Sequence, residues 1–367
     1  MKRVLQNTLL MILSCFVALL IAEAALRVVA PRVLIEPLGI VLDEDLIYRL
    51  PANASGAYGK QDREWFMHVS INSYGLRDRE ISYEREPGVF RILGLGDSMT
   101  FAEGAELDEL YLKRLEASLK KTSPVEVING SVRGWGPDQQ LAFMSKEAYR
   151  YHPEITLIAF YSGNDFEDVL HGNLFRVENG EAIHQKVSEE SSAKYRYYKH
   201  QHAIQNLPLY NWLMANSHLA NWLRQIYPHL AIRNIYHRKA DQQENFSRIN
   251  AAEEERSWAL VKAIYEKLFS MREQTGRFFV ILIPTYEEVE QGTSPRIARM
   301  IGLCRQWGIP YLDMLRGFRE QVEMKHNLDE LYFPKERHFA PAGHAWLAQL
   351  LEKRLKAEGL LPLKYQN

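Results

Sequence analysis

Five short apolar runs alternate with helix-like segments between residues 90 and 358, and that alternation admits few folds. The runs are Phe90-Arg91-Ile92-Leu93-Gly94-Leu95-Gly96, Val125-Glu126-Val127-Ile128, Ile155-Thr156-Leu157-Ile158-Ala159-Phe160, Phe278-Phe279-Val280-Ile281-Leu282-Ile283-Pro284 and Ile309-Pro310-Tyr311-Leu312. Such short, nearly continuous apolar stretches read as strands buried on both faces. Between them, residues 109–121 place Leu110, Leu112, Leu115 and Leu119 at roughly helical spacing. Residues 138–151, 258–271, 297–307 and 341–358 read as further helices, with Gly276 past the end of one and Pro341 in the first turn of the last. Strand–helix alternation of this kind predicts an α/β fold with a parallel sheet covered on both faces. Its ligands are expected at the carboxyl ends of the strands.

Two segments fall outside the alternation. Residues 32–88 are polar and turn-rich, and His68-Val69-Ser70-Ile71 predicts a strand that turns at Tyr74-Gly75. A small β-rich lead-in is expected there, ahead of a main domain at 89–362. Residues 170–255 carry many Tyr, His, Trp and Asn but no strong strand pattern, while 207–237 has helical apolar spacing. They read as a largely helical insertion. Its aromatics Tyr210, Trp212, Trp222 and Tyr227 suit a small core of the insertion itself, with stacking on sugar rings or a place at a membrane surface as alternatives.

The N-terminus reads as a membrane anchor over residues 1–31. Lys2 and Arg3 precede an uncharged run from Val4 to Ala22. As a helix this run spans roughly 28 Å at ~1.5 Å per residue, about the hydrocarbon thickness. Glu23 and Arg27 follow on one helical face, where they can pair, and Pro31 stops the helix. The early positive charges favour an N-in, C-out single pass through the cytoplasmic membrane, with the main domain on the extracytoplasmic (periplasmic) side. Ala22-Glu23-Ala24 also has the small-x-small form of a signal-peptide cleavage site. The charge inside that site, and the apolar helix beyond it, favour an uncleaved anchor.

Composition removes several function classes. The formal net charge of -1 gives no basic field for nucleic acid. There is no glycine-rich phosphate loop of the P-loop or dinucleotide type. The two cysteines, Cys15 in the apolar segment and Cys304 far along the chain, are not expected to pair. No Cys/His cluster has metal-ligand spacing, so no metal site is expected.

Four segments carry chemistry, each at a strand-to-loop junction. In Gly96-Asp97-Ser98-Met99-Thr100, Ser98 directly follows the first strand and opens a helix, where backbone N–H groups favour developing negative charge; a plain N-cap serine fits the same position. Asn129-Gly130-Ser131-Val132-Arg133-Gly134-Trp135-Gly136 follows strand two, and its glycines let backbone N–H groups approach a ligand. Ser162-Gly163-Asn164-Asp165 follows strand three. The Asn164 amide can donate to an oxyanion without changing protonation state, and Asp165, like Asp97, is read as supporting its loop. Glu336-Arg337-His338 precedes the last helix. There Glu336 is placed to accept the second imidazole N–H of His338. Asp313, after strand five, is a fallback partner, and His344 is read as orienting the last helix. Each segment alone also fits an ordinary turn or cap.

The order Ser, Gly, Asn, His at successive junctions resembles the four sequence blocks of the SGNH (GDSL-like) hydrolase superfamily over roughly residues 65–355. Ile71-Asn72-Ser73-Tyr74-Gly75-Leu76-Arg77-Asp78 is similar to membrane-anchored bacterial members. The resemblance implies a flavodoxin-like three-layer α/β/α sandwich. It implies Ser98 as nucleophile, His338 as base, and the Ser98 N–H, Gly134 N–H and Asn164 side chain as oxyanion donors. One departure is that members usually carry an aspartate two or three residues before the histidine, where this chain has Glu336 and Lys335. The implied activity is a serine esterase acting outside the membrane on O-acetyl or other acyl esters of polysaccharide or envelope glycan. It would need no metal or organic cofactor and no nucleic-acid partner. A polysaccharide O-acyltransferase using the same site, or a non-catalytic membrane-tethered binding or assembly protein, remain alternatives.

Overall fold

The computed structural model describes residues 1–227, 249–323 and 328–362. Its centre is a five-stranded, wholly parallel sheet made of β5 (Phe90–Leu95), β6 (Val125–Asn129), β7 (Ile155–Tyr161), β10 (Arg277–Ile283) and β11 (Tyr311–Asp313). The spatial order is β11-β10-β7-β5-β6. Counting strands within this sheet alone, that is 2-1-3-4-5 read from the β6 edge, the flavodoxin-like doubly wound order. The expected strands are therefore present within a residue or two of their sequence positions. They are largely apolar because both faces are covered: β5, for example, is buried at every position, its one charged residue Arg91 included.

Helices complete the three layers. Helix α3 (Tyr111–Leu119) packs against β6 and against the C-terminal helix Pro341–Ala357. The long helix Ala251–Ser270 packs against α4 (Pro137–Lys146) and α5 (Asp165–Gly172). The helical segment expected over 138–151 breaks in two: α4 ends at Lys146 and a 3-10 turn covers Ala148–Tyr151.

Two short antiparallel ribbons lie within residues 32–88. One pairs β1 (Val41–Asp43) with β2 (Ile47–Arg49), and the other pairs β3 (Ser55–Gly59) with β4 (Phe66–Ser70). Arg91 of β5 holds the end of this segment. Its buried guanidinium donates to the carbonyls of Ser82, Tyr83 and Glu84 and pairs with Glu126 at 2.7 Å.

The segment 170–255 differs from its sequence reading by containing a hairpin, β8 (Phe175–Glu178) with β9 (Glu181–His184). Each strand is too short for alternation to register. The local signal is the pair Asn179-Gly180, whose φ values of 51° and 85° fit the left-handed turn that joins two-residue hairpins. Three helices follow among the described residues: α6 (Ala193–Gln205), α7 (Tyr210–Asn216) and α8 (His218–Tyr227). Of the helical reading over 207–237, residues 228–237 lie outside the described residues, as does the side chain of Tyr227.

Helix α1 (Lys2–Val29) has no buried residue and a mean hydropathy of 2.6 over its most apolar window. Among the described residues it is the one helix long and apolar enough to cross a membrane. Glu23 and Arg27 pair at 2.8 Å as their spacing predicts.

Candidate active site

The site begins where β5 runs out at the carboxyl edge of the sheet. Asp97 caps the following turn, its Oδ1 accepting from the Met99 N–H at 2.9 Å, and α2 (Ser98–Phe101) is a single turn that ends at Ala102 in the left-handed region, φ 63°. Such a short helix leaves its last carbonyls without internal partners. Arg77 satisfies them. Its buried guanidinium donates to the carbonyls of Phe101 (2.6 Å), Ala102 (3.0 Å) and Ala105 (2.6 Å), and stacks on the Phe101 ring at 4.9 Å. Burial lowers its pKa to about 10, which leaves it charged at neutral pH.

His338 arrives from the other end of the chain. The last sheet strand, β11, lies at the far edge from β6, so strand order alone does not bring the two together. The C-terminal helix instead crosses back to pack on α3, and the loop before it carries His338. That loop is a closed turn: the Phe333 N–H donates to the His338 carbonyl at 2.8 Å and the Arg337 N–H to the Phe333 carbonyl at 2.9 Å. The result places His338 Nε2 at 2.9 Å from Ser98 Oγ. Burial lowers the imidazole pKa below its ordinary value, while the carboxylates of Glu103 and Asp97 pull the other way.

The other imidazole nitrogen, Nδ1, is buried with no hydrogen-bond partner among the described residues. Glu336 Oε2 stands 3.7 Å from it, near but beyond hydrogen-bond length, and Glu336 also pairs with Lys60. Asp313 is used elsewhere, its Oδ1 accepting from the Arg316 N–H at 3.3 Å in the first turn of Met314–Glu323. His344 is fully buried, stacks on Tyr111 and has its pKa lowered by burial to about 3.

Gly134 adopts φ +72°, a conformation side chains disfavour, in the loop after β6. A Cβ there would stand 2.8 Å from the Tyr198 hydroxyl and 3.1 Å from that of Tyr48. These two rings stack at 3.7 Å, one from the insertion and one from β2, and the Tyr48 hydroxyl donates to the Arg133 carbonyl. Arg133 in turn makes a bidentate pair with Glu103, at 2.9 and 2.7 Å. This pair ties the Gly134 loop to the turn that follows Ser98. None of Tyr48, Tyr198, Glu103 or Arg133 was singled out by sequence, since each acts through a non-local contact that no motif encodes.

Asn164 opens α5, its carbonyl accepting from the Asp168 N–H at 2.8 Å, and its side-chain Oδ1 is buried without a hydrogen-bond partner among the described residues. Asp165 is fully buried and accepts from the Tyr161 N–H at 2.9 Å, bracing the loop. Burial raises the pKa of both neighbouring carboxyls, Asp97 to about 6 and Asp165 well above the carboxylate range. The arrangement therefore offers a serine hydroxyl hydrogen-bonded to a largely buried imidazole at the carboxyl edge of the sheet.

No protein-family model and no curated protein sequence matches the chain significantly. Solved structures do. A lipase/acylhydrolase from Enterococcus faecalis is 14% identical with a TM-score of 0.38, the match covering 73% of this chain and 96% of that one. An acetylxylan esterase from Geobacillus stearothermophilus is 13% identical with a TM-score of 0.41, covering 72% and 94%. A two-domain esterase active on acetylated mannans is 13% identical with a TM-score of 0.39, and the match spans 73% of this chain but 49%, about half, of that protein's length. What each of these acts on is a property of that protein, and the chemistry open to this chain rests on its own serine–histidine geometry.

Proposed function

We propose that this chain is a carboxylic-ester hydrolase of the SGNH type, with Ser98, His338 and Glu336 as its catalytic residues. The observation that carries the reading is the 2.9 Å approach of His338 Nε2 to Ser98 Oγ at the carboxyl edge of a parallel sheet. In the mechanism, Ser98 Oγ attacks the ester carbonyl carbon and its proton passes to His338 Nε2. The carbonyl oxygen, now an anion, is held by the Ser98 N–H, the Gly134 N–H and the Asn164 amide. Collapse breaks the ester C–O bond, and the imidazolium gives its proton to the leaving alcohol. Water, deprotonated by His338, then attacks the acyl carbon; the acyl–Oγ bond breaks, the imidazolium returns the proton to Ser98 Oγ, and the free acid leaves. O-acetyl esters of polysaccharide or envelope glycan, reached from a membrane-tethered domain, are the substrate class we assign.

Release of acetate from an acetylated polysaccharide, faster than cleavage of long-chain chromogenic esters, is the expected result. Preference for long acyl chains would remove the substrate assignment. Transfer of the acyl group to an added oligosaccharide, in place of release as free acid, would convert the reading to an acyltransferase.

The base must be neutral to accept the serine proton. Because burial holds the His338 pKa below its ordinary value, activity should be present at neutral pH and fall as pH drops through a midpoint below the usual ~6.5. A kcat/KM profile measures this, and an acid limb centred above pH ~6.5 contradicts it.

Glu336 faces Nδ1, so Glu336→Gln should remove charge stabilisation of the imidazolium and lower kcat by about 10²-fold or more. Asp313→Asn should leave kcat unchanged. Steady-state rates on a chromogenic acetyl ester decide between them. The reverse ranking assigns the acid to Asp313.

A further inference from the structure

Glu23 is the first charged residue after the uncharged stretch of α1, and its carboxylate is turned into the protein. It accepts hydrogen bonds from the Ser217 hydroxyl (2.8 Å) and from the backbone N–H groups of His218 (3.0 Å) and Leu219 (2.8 Å). Those N–H groups open α8, where unpaired donors favour a carboxylate. Arg27 spans the same joint, its Nε donating to Glu23 and its Nη2 to the Asn216 carbonyl, which closes α7, at 2.9 Å. The Arg32 N–H adds a bond to His218 Nδ1 at 2.8 Å. The end of the apolar helix is thereby fastened to the corner between α7 and α8.

That corner has two unlike faces. Inward, Met214 and Asn221 are buried, and the Asn221 amide locks the corner by donating to the Met214 carbonyl at 2.6 Å. Outward, Leu209 and Trp212 are 70% and 61% exposed, with Leu207 and Leu223 about half exposed and Leu213 less so. Helix α1 itself ends in apolar side chains past Arg27, Val28 and Val29, each more than four-fifths exposed at 83% and 82%. An exposed cluster of leucines around a tryptophan is costly in water. It matches what a segment lying in the headgroup–acyl boundary presents, where tryptophan is enriched. In a membrane-spanning α1, Glu23 marks the level at which hydrocarbon gives way to headgroups, and its bonds hold the corner at that level.

We propose that the α7–α8 corner is a lipid-facing foot: Leu207, Leu209 and Trp212 enter the bilayer interface beside α1 and fix the tilt of the main domain over the membrane. The proposal rests on α1 being a retained anchor, and it commits to lipid as the occupant of this surface.

The full chain, reconstituted in phosphatidylcholine vesicles with and without brominated acyl chains, tests it through tryptophan fluorescence. Brominated lipid should quench part of the wild-type emission. Trp212→Phe should lose most of that quenchable part while ester hydrolysis stays the same. Equal quenching in wild type and Trp212→Phe, from a chain that resists alkaline carbonate extraction, overturns the foot and leaves the anchor standing. A chain that carbonate releases from the vesicles removes the anchor and the foot together.

Discussion

Replacing Ser98 by alanine is expected to abolish ester turnover, with kcat falling by about 10⁴-fold or more, the scale seen when a catalytic serine or histidine is removed from a hydrolase triad. The fall should be confined to kcat, because Ser98 is half-buried at the end of β5 and its hydroxyl bonds only His338 among the described residues. Ser98→Ala should therefore keep the wild-type thermal midpoint. His338→Ala should lose activity on the same scale, and the double variant should lose little more, since the two groups act as a unit. A fluorophosphonate probe gives the direct readout: it should label the wild-type chain and neither variant. Covalent labelling that survives in Ser98→Ala would refute the nucleophile assignment.

Arg77→Met is expected to cost about 3–5 kcal/mol of stability, because it leaves buried carbonyls without donors. The carbonyls concerned are those of Phe101, which ends the Ser98 turn, and Ala105, just beyond it; that of Ala102 keeps the Ala105 N–H. The same change should slow turnover by loosening that turn. Arg77→Lys should not rescue it, since one ammonium cannot reproduce a planar fork aimed at three acceptors. Thermal unfolding monitored by circular dichroism measures the effect. An unchanged midpoint in Arg77→Met would show that the turn holds without the guanidinium.

Arg77 also shows why parts of this molecule were legible in sequence and others were not. Ile71-Asn72-Ser73-Tyr74-Gly75-Leu76-Arg77-Asp78 stands out as a pattern, but its physical purpose lies in contacts made across the fold. Asn72 Oδ1 accepts from the N–H groups of Tyr74 and Leu76 to shape the loop. Asp78 pairs with Lys113 and accepts from the Asn129 N–H at 2.8 Å, while Asn129 donates to the Arg77 carbonyl at 3.1 Å. The pattern thus ties the lead-in to both the Ser98 turn and the end of β6.

The strands were legible for a simpler reason. A strand buried on both faces is mostly apolar, and the loop that follows it opens at the carboxyl edge of the sheet. Ser98, Gly134 and Asn164 lie in the loops after such runs, so local reading finds the segments, while their candidacy needs all four blocks taken together. Spatial order is different, because no periodicity encodes which strand lies beside which, or that the last helix settles on α3. The Tyr48–Tyr198 stack and the Arg133–Glu103 pair are long-range in the same way. The β8–β9 hairpin was legible in principle through Asn179-Gly180, a two-residue signal easily lost beside the helical spacing that surrounds it.

The partners Ser98 and His338 lie 240 residues apart in the chain. Such distant partners meet only after the intervening polypeptide has collapsed. A nascent or C-terminally clipped polypeptide can therefore assemble much of its sheet around a silent serine. On this arrangement the Ser98–His338 pair forms only once the helix Pro341–Ala357 has docked on α3.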